Sequence, residues 1–444
     1  MIGQFPWDPF PPGEPDPKGP DPVHSLAFRS AVTAADAYHA VRIAVRREAG
    51  TLRIGNRFVP EGRYREVAFL AFGNAADSMA LGALHAIGER LTQGFLAGPN
   101  TIPPEVPFRG IGIAPGWPGT PLAAQVAHAA TELASDLEEH DLLIVMVSPG
   151  ALRALAEPPP GMTPEEFTRF LEHVFSLGAT GREIGLLTRV LGTGAVGGRL
   201  AAAVPRADIV TLVIDRGDGA AVVGGGPMRP VAPEERTEAR ALLERLGALP
   251  ALPVTAVHAL VPDTSAPLDS RAPRPVVIAT PADALRAASD SVFDKGWTSR
   301  LAFLGLRDRP ELAAERFLAR SEEIYRGEPL TSASRTRGLA CFATTTLGLP
   351  EGLDEGPALG DFLSRAQQLL NRREMSIGLF RTGGDLSVPP TGRPPPYPPG
   401  AVFGVPTDPD AKVVPGRARA VPMKAGITDV GLLAIAVYPR PGAG

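Results

Sequence analysis

Cysteine is all but missing from this sequence: Cys341 is the only one in 444 residues. An intramolecular disulfide is therefore impossible and a Cys/His metal framework is excluded, which points to a reducing compartment. No run of about 18 or more apolar residues occurs, so no transmembrane helix is expected. Residues 1–22 lack the basic start and apolar core of a secretory signal, and cytoplasm is the expected location. Excess charge is lacking too. The net charge of −4 gives no global electrostatic case for a nucleic-acid or acidic-membrane partner, and neither is expected. The seven histidines are scattered, with no i,i+4 pair beside a carboxylate of metalloprotease type. His85, among apolar residues, and His140, before a strand, read as structural.

What is present is the material of a globular protein. Hydrophobic residues make up 44% and charged ones 21%, enough to bury a large core over two to three domains. Proline and glycine are high, 49 each, and part of them sits in residues 1–22, in Pro158-Pro159-Pro160 and between Pro389 and Pro399. The first of these reads as a solvated tail or a polyproline-like arm. Phe5, Trp7 and Phe10 favour an arm that docks on its own body or on a neighbour.

From residue 66 onward apolar runs alternate with helical patterns. Glu66 to Phe72, Asp141 to Val147 and Asp208 to Ile214 read as buried strands. Shorter strands are expected at Val276 to Ala279, Leu301 to Leu304, Leu339 to Ala343, Ser376 to Phe380 and Gly431 to Tyr438. Helices are expected over Ser78 to Leu91, after the capping box Thr163-Pro164-Glu165-Glu166, from Pro233 to Leu246, and near 281–294, 309–325 and 360–373. Continuous apolar strands separated by helices mean an α/β fold with a largely parallel sheet covered on both faces. Ligands of such sheets sit in the loops at the carboxyl ends of the strands.

Those loops, taken in order, resemble the type-2 glycerate kinases, which phosphorylate D-glycerate at its 2-hydroxyl with ATP. Five stretches carry the likeness between Leu26 and Val437: the run from Ala71 to Ala80; Val147-Ser148-Pro149-Gly150-Ala151-Leu152; Gly178-Ala179-Thr180 with Glu183-Ile184 and Gly197-Gly198-Arg199-Leu200-Ala201; Ile214-Asp215-Arg216-Gly217-Asp218 with Gly225-Gly226-Pro227; and Val277-Ile278-Ala279-Thr280 with Asp283-Ala284-Leu285. The resemblance implies two domains with a cleft between them: a larger Rossmann-like N-terminal domain over 25–262 and a smaller α/β, MOFRL-like C-terminal domain over 263–444, preceded by the arm at 1–24.

The chain departs from the family where phosphoryl transfer needs charge. Asn74 stands where the family has the lysine of Gly-Lys-Ala, and Val196 where it has the lysine before Gly-Gly. Pro149 removes an N–H from the serine–glycine turn. In the second half Cys341-Phe342-Ala343-Thr344-Thr345-Thr346 lacks the glycines and glutamate of Ser-Gly-Gly-Glu-Thr-Thr, and Asp361 replaces an arginine. Arg381-Thr382-Gly383-Gly384-Asp385 and Asp429 keep single carboxylates, which suit capping as well as catalysis.

The resemblance makes Arg189 and Asp215 the catalytic candidates. Gly73, Asn74, Ser148, Gly150, Arg153, Gly197 and Gly198 become candidates for substrate or nucleotide binding, and Asp218 and Asp385 for metal. Each has a plainer reading: the glycines as turn and packing residues, Asp215 and Asp218 as Asx turns, and Cys341 as a buried, inert thiol. Ser148 invites a nucleophile-elbow reading, but Met146 and Pro149 break the G-x-S-x-G frame. Losing one transition-state cation costs on the order of 10³-fold in rate, so the sequence favours a pseudoenzyme with binding, structural or regulatory work. Its partner would be an active paralogue or another copy of itself, met through the N-terminal arm. The alternative is an ATP- and Mg²⁺-dependent kinase of glycerate or a related hydroxy acid, with Arg153, Arg189 and Arg381 as substitute cations. A different chemistry in the old cleft is the third reading.

Overall fold

The computed structural model describes residues 22–99, 108–113, 116–204, 206–217, 225–262, 275–328, 336–350, 353, 355–369, 375–382, 403–405 and 429–439. The Pro-rich segments at 1–21 and 389–399, together with Asp218 and Asp385, lie outside these residues.

Two compact units are formed, and they do not follow chain order. One comprises Ala37–Ile278 with Pro350–Leu353; the other comprises Met1–Asp36, Ala279–Leu349 and Asp354–Gly444. The sequence-based division at 24 and 262 is thus not the one the contacts make. The helix α1 (Pro22–Ala34) groups with the second half of the chain, where Phe28 stacks on Phe380 at 4.9 Å between ring centroids. Which sheet a short apolar helix covers is not a local property.

The unit containing Ala37–Ile278 opens with α2 (Ala37–Ala44) and a three-stranded antiparallel meander, β1 (Val45–Glu48), β2 (Thr51–Ile54) and β3 (Arg57–Pro60). Its main sheet uses β4 (Val67–Phe72), β5 (Leu91–Gly98), β6 (Arg109–Gly112), β7 (Leu142–Val147), β10 (Asp208–Ile214) and β11 (Val276–Ala279), in the order β11-β10-β7-β4-β5-β6. From β10 to β6 the neighbours run parallel, with β4 and β7 in register from Val67↔Leu142 to Phe72↔Val147. Every residue of β4 and β7 is buried, as their unbroken apolar runs require. Between these strands lie α3 (Ala76–Ile87), α4 (Pro121–Ser135), α5 (Ala151–Leu155), α6 (Pro164–Ser176), α7 (Gly181–Leu191) and α8 (Arg199–Ala203), with a short ribbon of β8 (Ala156–Glu157) and β9 (Thr193–Gly194). The expected helix Ser78 to Leu91 ends earlier: Leu91 begins β5, after the Gly88–Arg90 turn.

α6 starts on the capping box read from the sequence. Thr163 Oγ1 accepts from the Glu166 N–H, and the Glu166 carboxylate accepts from the Thr163 N–H at 2.8 Å. Its apolar stripe, Phe167, Phe170, Leu171 and Val174, packs with Ile184, Leu187 and Val190 of α7 and with Ala239, Leu242 and Leu243 of the helix Pro233–Arg245.

In the other unit β12 (Thr298–Leu306), β13 (Gly338–Thr345), β14 (Ser376–Arg381), β15 (Phe403–Val405) and β16 (Leu432–Pro439) form a sheet in the order β12-β13-β16-β14-β15. Only β12–β13 is parallel; β13–β16, β14–β16 and β14–β15 are antiparallel. The largely parallel sheet expected from the sequence holds in the first unit and gives way to a mixed one here. An apolar run reports burial on both faces, not strand direction. The helices Pro310–Gly327 and Gly356–Leu369 cover one face, placing Phe317, Leu318 and Phe362 against Cys341, Leu379 and Ala434.

Candidate functional site

The carboxyl ends of β4 and β7 bring five of the sequence-derived candidates together. Parallel register sets Phe72 beside Val147, so the next residues, Gly73 and Ser148, meet. Gly73 has φ +105°, and a Cβ there would lie 2.5 Å from the Ser148 hydroxyl. The position demands glycine twice over, for its backbone angle and for space.

Consecutive backbone N–H groups of this loop are all used within the protein. Gly73 N–H donates to the Ala97 carbonyl (3.1 Å), Asn74 N–H to the Pro149 carbonyl (2.8 Å) and Ala76 N–H to the Gly73 carbonyl (3.1 Å). Ala75 N–H donates to Ser148 Oγ at 3.0 Å, and that hydroxyl donates in turn to the Phe72 carbonyl at 3.1 Å. Ser148 is therefore a staple between two loops, with its hydroxyl proton on a carbonyl and no base beside it in that bond.

Gly150 sits at φ +88° before α5, and a Cβ on it would stand 2.7 Å from Asn74 Oδ1. That oxygen accepts from the Arg153 guanidinium at 3.2 Å, and the same Nη2 lies 3.5 Å from the Ile113 carbonyl. Asn74, Ser148 and Arg153 are 8%, 0% and 2% exposed, and Val196 is wholly buried. The Asn74 amide thus faces inward onto an arginine.

The other candidates are held by contacts of their own. Asp215, after β10, accepts the Gly217 N–H at 2.9 Å, the Asx turn that was one of its two readings. Gly198 has φ +84°, and a Cβ would come 2.5 Å from Pro230 N; Gly197 has φ +63° and lies close to the Arg189 carbonyl and Val231. These two glycines are close-packing residues in the observed fold.

Arg189, the leading catalytic candidate, is 1% exposed and doubly bonded to Glu235 at 3.0 and 3.1 Å. Glu235 also accepts from Arg229 at 2.6 Å and from the Ala232 N–H at 2.9 Å. Burial pulls the Arg189 guanidinium below its ordinary range, against the opposing pull of Glu235. Burial alone would raise Glu235, but Arg189, the Ala232 N–H and Arg229 hold it below the ordinary carboxylate range. Sequence reading found Arg189 and missed its partner.

It also missed two buried charged residues at the same end of the sheet, Asp77 and Arg216, 5% and 4% exposed. Both lay inside quoted motifs, Asp77 three residues after Asn74 and Arg216 between Asp215 and Gly217. For Asp77 the signal was a charged side chain between Ala76 and Ser78 in an otherwise small and apolar stretch. Among the described residues no group of three or more His, Cys, Asp or Glu is placed to share a metal ion, and no helix is long and apolar enough to cross a membrane.

Residues 24–261 match the family described as a domain of unknown function, DUF4147. The glycerate kinase of Rattus norvegicus is 30% identical over 175 residues, 36% of this chain and 33% of the relative. The chain's match therefore spans about a third of the length of that curated relative. The crystal structure of a glycerate kinase from Thermotoga maritima superposes with a TM-score of 0.65 at 18% identity, over 94% of this chain and 98% of that one. The PH0495 protein of Pyrococcus horikoshii OT3 gives 0.64 at 18% identity, with the same coverage. At such identity these two structures establish the fold, and because the family model spans more than half of the chain, the protein belongs to the DUF4147 family and is glycerate-kinase-like.

Proposed function

We propose that this chain is a glycerate-kinase-like pseudoenzyme, acting by binding, assembly or regulation and not by phosphoryl transfer. One observation carries the reading: the β4 and β7 loops are closed on each other. A phosphate nest needs backbone N–H groups aimed at the ligand and a cation against the developing charge. Here the N–H groups of Gly73, Asn74, Ala75 and Ala76 are consumed by Ala97, Pro149, Ser148 and Gly73 itself. The nearby cation, Arg153, is buried and bonded to Asn74. Opening the loops would break these bonds and leave buried polar groups unmatched, at about 1–3 kcal/mol each.

The test is ADP release from ATP and Mg²⁺ with D-glycerate, beside a calorimetric ATP titration. The expected results are no turnover above the protein-free rate and a flat titration. Turnover that scales with protein and disappears in a folded Arg153→Met variant would overturn the reading.

A further inference from the structure

Arg189, Arg229 and Glu235 belong to a larger cluster of arginines in which acceptors run short. The Gly197-Gly198-Arg199 turn is pressed onto Arg229 and Pro230, since a Cβ on Gly198 would stand 2.8 Å from the Arg229 carbonyl carbon. A Cβ on Gly197 would lie 3.1 Å from the Arg189 carbonyl oxygen and from Val231 Cγ2, and 3.6 Å from Arg199 Nη1. Arg236 follows Glu235 in the helix Pro233–Arg245. Burial pulls the Arg199 guanidinium below its ordinary range, and Arg236 is near enough to add to that pull. Four guanidiniums thus share the neighbourhood of one carboxylate.

Three of them have N–H groups to spare. Arg229 reaches Glu235 through Nη2. Arg199 uses Nη1 alone, on the Gly192 and Val196 carbonyls at 3.0 and 3.1 Å, and Arg236 uses Nη1 alone, on the Ala259 carbonyl. The Nε–H groups of Arg189 and Arg229 are buried with no acceptor among the described residues, whereas buried polar groups are as a rule hydrogen-bonded. Among the described residues Glu235 is the only carboxylate paired with any of the four. Glu234 and Glu238, on the same helix, are exposed and pair with none of them.

Two guanidiniums on one mostly buried carboxylate leave positive charge uncompensated, which burial makes costly. The missing acceptor must be negative and must offer several oxygens, because the spare donors sit on three separate segments. Phosphate meets both demands, and its oxygens match the fork of a guanidinium. We infer that Arg199, Arg229 and Arg236 form a binding site for a phosphate-type oxyanion, with the Arg189–Glu235 pair holding Arg229 in place. The anion is either free phosphate or the phosphate group of a small monoester. The Gly197-Gly198 turn acquires a use beyond packing: only glycines allow the approach that sets Arg199 beside Arg229. The inference does not depend on whether phosphoryl transfer has been lost.

The test is calorimetric titration of the full-length chain with inorganic phosphate and, separately, methyl phosphate, at an ionic strength held constant with chloride. Inorganic phosphate should bind once per chain with a Kd below about 1 mM. Arg199→Gln and Arg229→Gln should each weaken it by about tenfold, whereas Arg326→Gln, on an exposed helix face, should change nothing. Methyl phosphate binding equally well assigns the site to a monoester, and phosphate binding alone assigns it to the free ion. Arg199 also bonds the carbonyl at the end of α7, so folding is checked by circular dichroism. Arg229→Gln leaves the Arg189–Glu235 pair intact and carries the test if the other variant unfolds. No binding to the unaltered chain would overturn the inference, as would binding equally strong in folded Arg199→Gln and Arg229→Gln variants. Malonate binding where phosphate does not would overturn it too. ATP that titrates and is lost in Arg229→Gln would keep this site and overturn the flat ATP titration expected above, so the two readings fail separately.

Discussion

At the residue scale, two arginines that look interchangeable in the sequence have different fates. Arg153 bridges Asn74 and the Ile113 carbonyl, and Arg189 is held by Glu235 inside a helical subdomain. Both are buried guanidiniums, and one held by a carboxylate, as Arg189 is, is tolerable only while that partner is in place. Glu235→Ala therefore strands Arg189 without a counter-charge. The expected loss is about 3–5 kcal/mol of unfolding free energy, measured by urea denaturation, and a loss under about 1 kcal/mol would show that Arg189 repairs itself through other acceptors. None of this was legible locally. Arg189 sits in an amphipathic helix pattern like many surface arginines, and its partner follows in a separate helix. Gly73 was legible, because a glycine directly after a buried strand signals a tight turn or a close approach. The Ser148 contact that enforces it needed the register of two strands.

At the element scale, what could be read was whatever the chain writes in consecutive residues. The apolar runs of β4, β7 and β10 and the capping box of α6 all formed. A second and a third box, Thr180 with Glu183 and Thr280 with Asp283, open α7 and the helix Pro281–Phe293 in the same way. Thr163→Ala removes the acceptor for the Glu166 N–H on an exposed helix start. It should cost about 1 kcal/mol, seen as a shift of the denaturation midpoint with unchanged slope. A shift in slope would mean that the cap also shapes the unfolded state. The strands β1, β2, β3, β5 and β6 were not foreseen. Arginines interrupt the first three, and Leu91–Gly98 and Arg109–Gly112 carry glycines that weaken strand signals.

At the scale of the whole molecule, the amino ends of the strands are pinned by a carboxylate. Asp141, just before β7, accepts from the N–H groups of Glu138 (2.8 Å) and Glu66 (3.2 Å) and from Arg65 (3.0 Å). Burial alone would raise its pKa, yet these donors hold it below the ordinary carboxylate range. A depressed folded-state pKa adds stability that is present above the unfolded value, about 3.9 for aspartate, and is lost as the pH falls through the folded one. Asp141→Asn should lower stability at pH 7 and flatten its decline on acidification below about pH 4; an acid limb identical to that of the unaltered chain would contradict the assignment. The sequence by itself determined the strand–helix alternation, the buried strands, the capping boxes and the glycine turns, because each depends on residues within a turn or two of one another. It also sets Asn74 and Val196 where the resemblance implies lysines. Only the tertiary structure decided that Asn74 turns inward to Arg153, that Arg189 belongs to Glu235, and that α1 joins the C-terminal half. Those outcomes depend on which strands lie side by side and in what register, and that is settled by packing over the whole sheet.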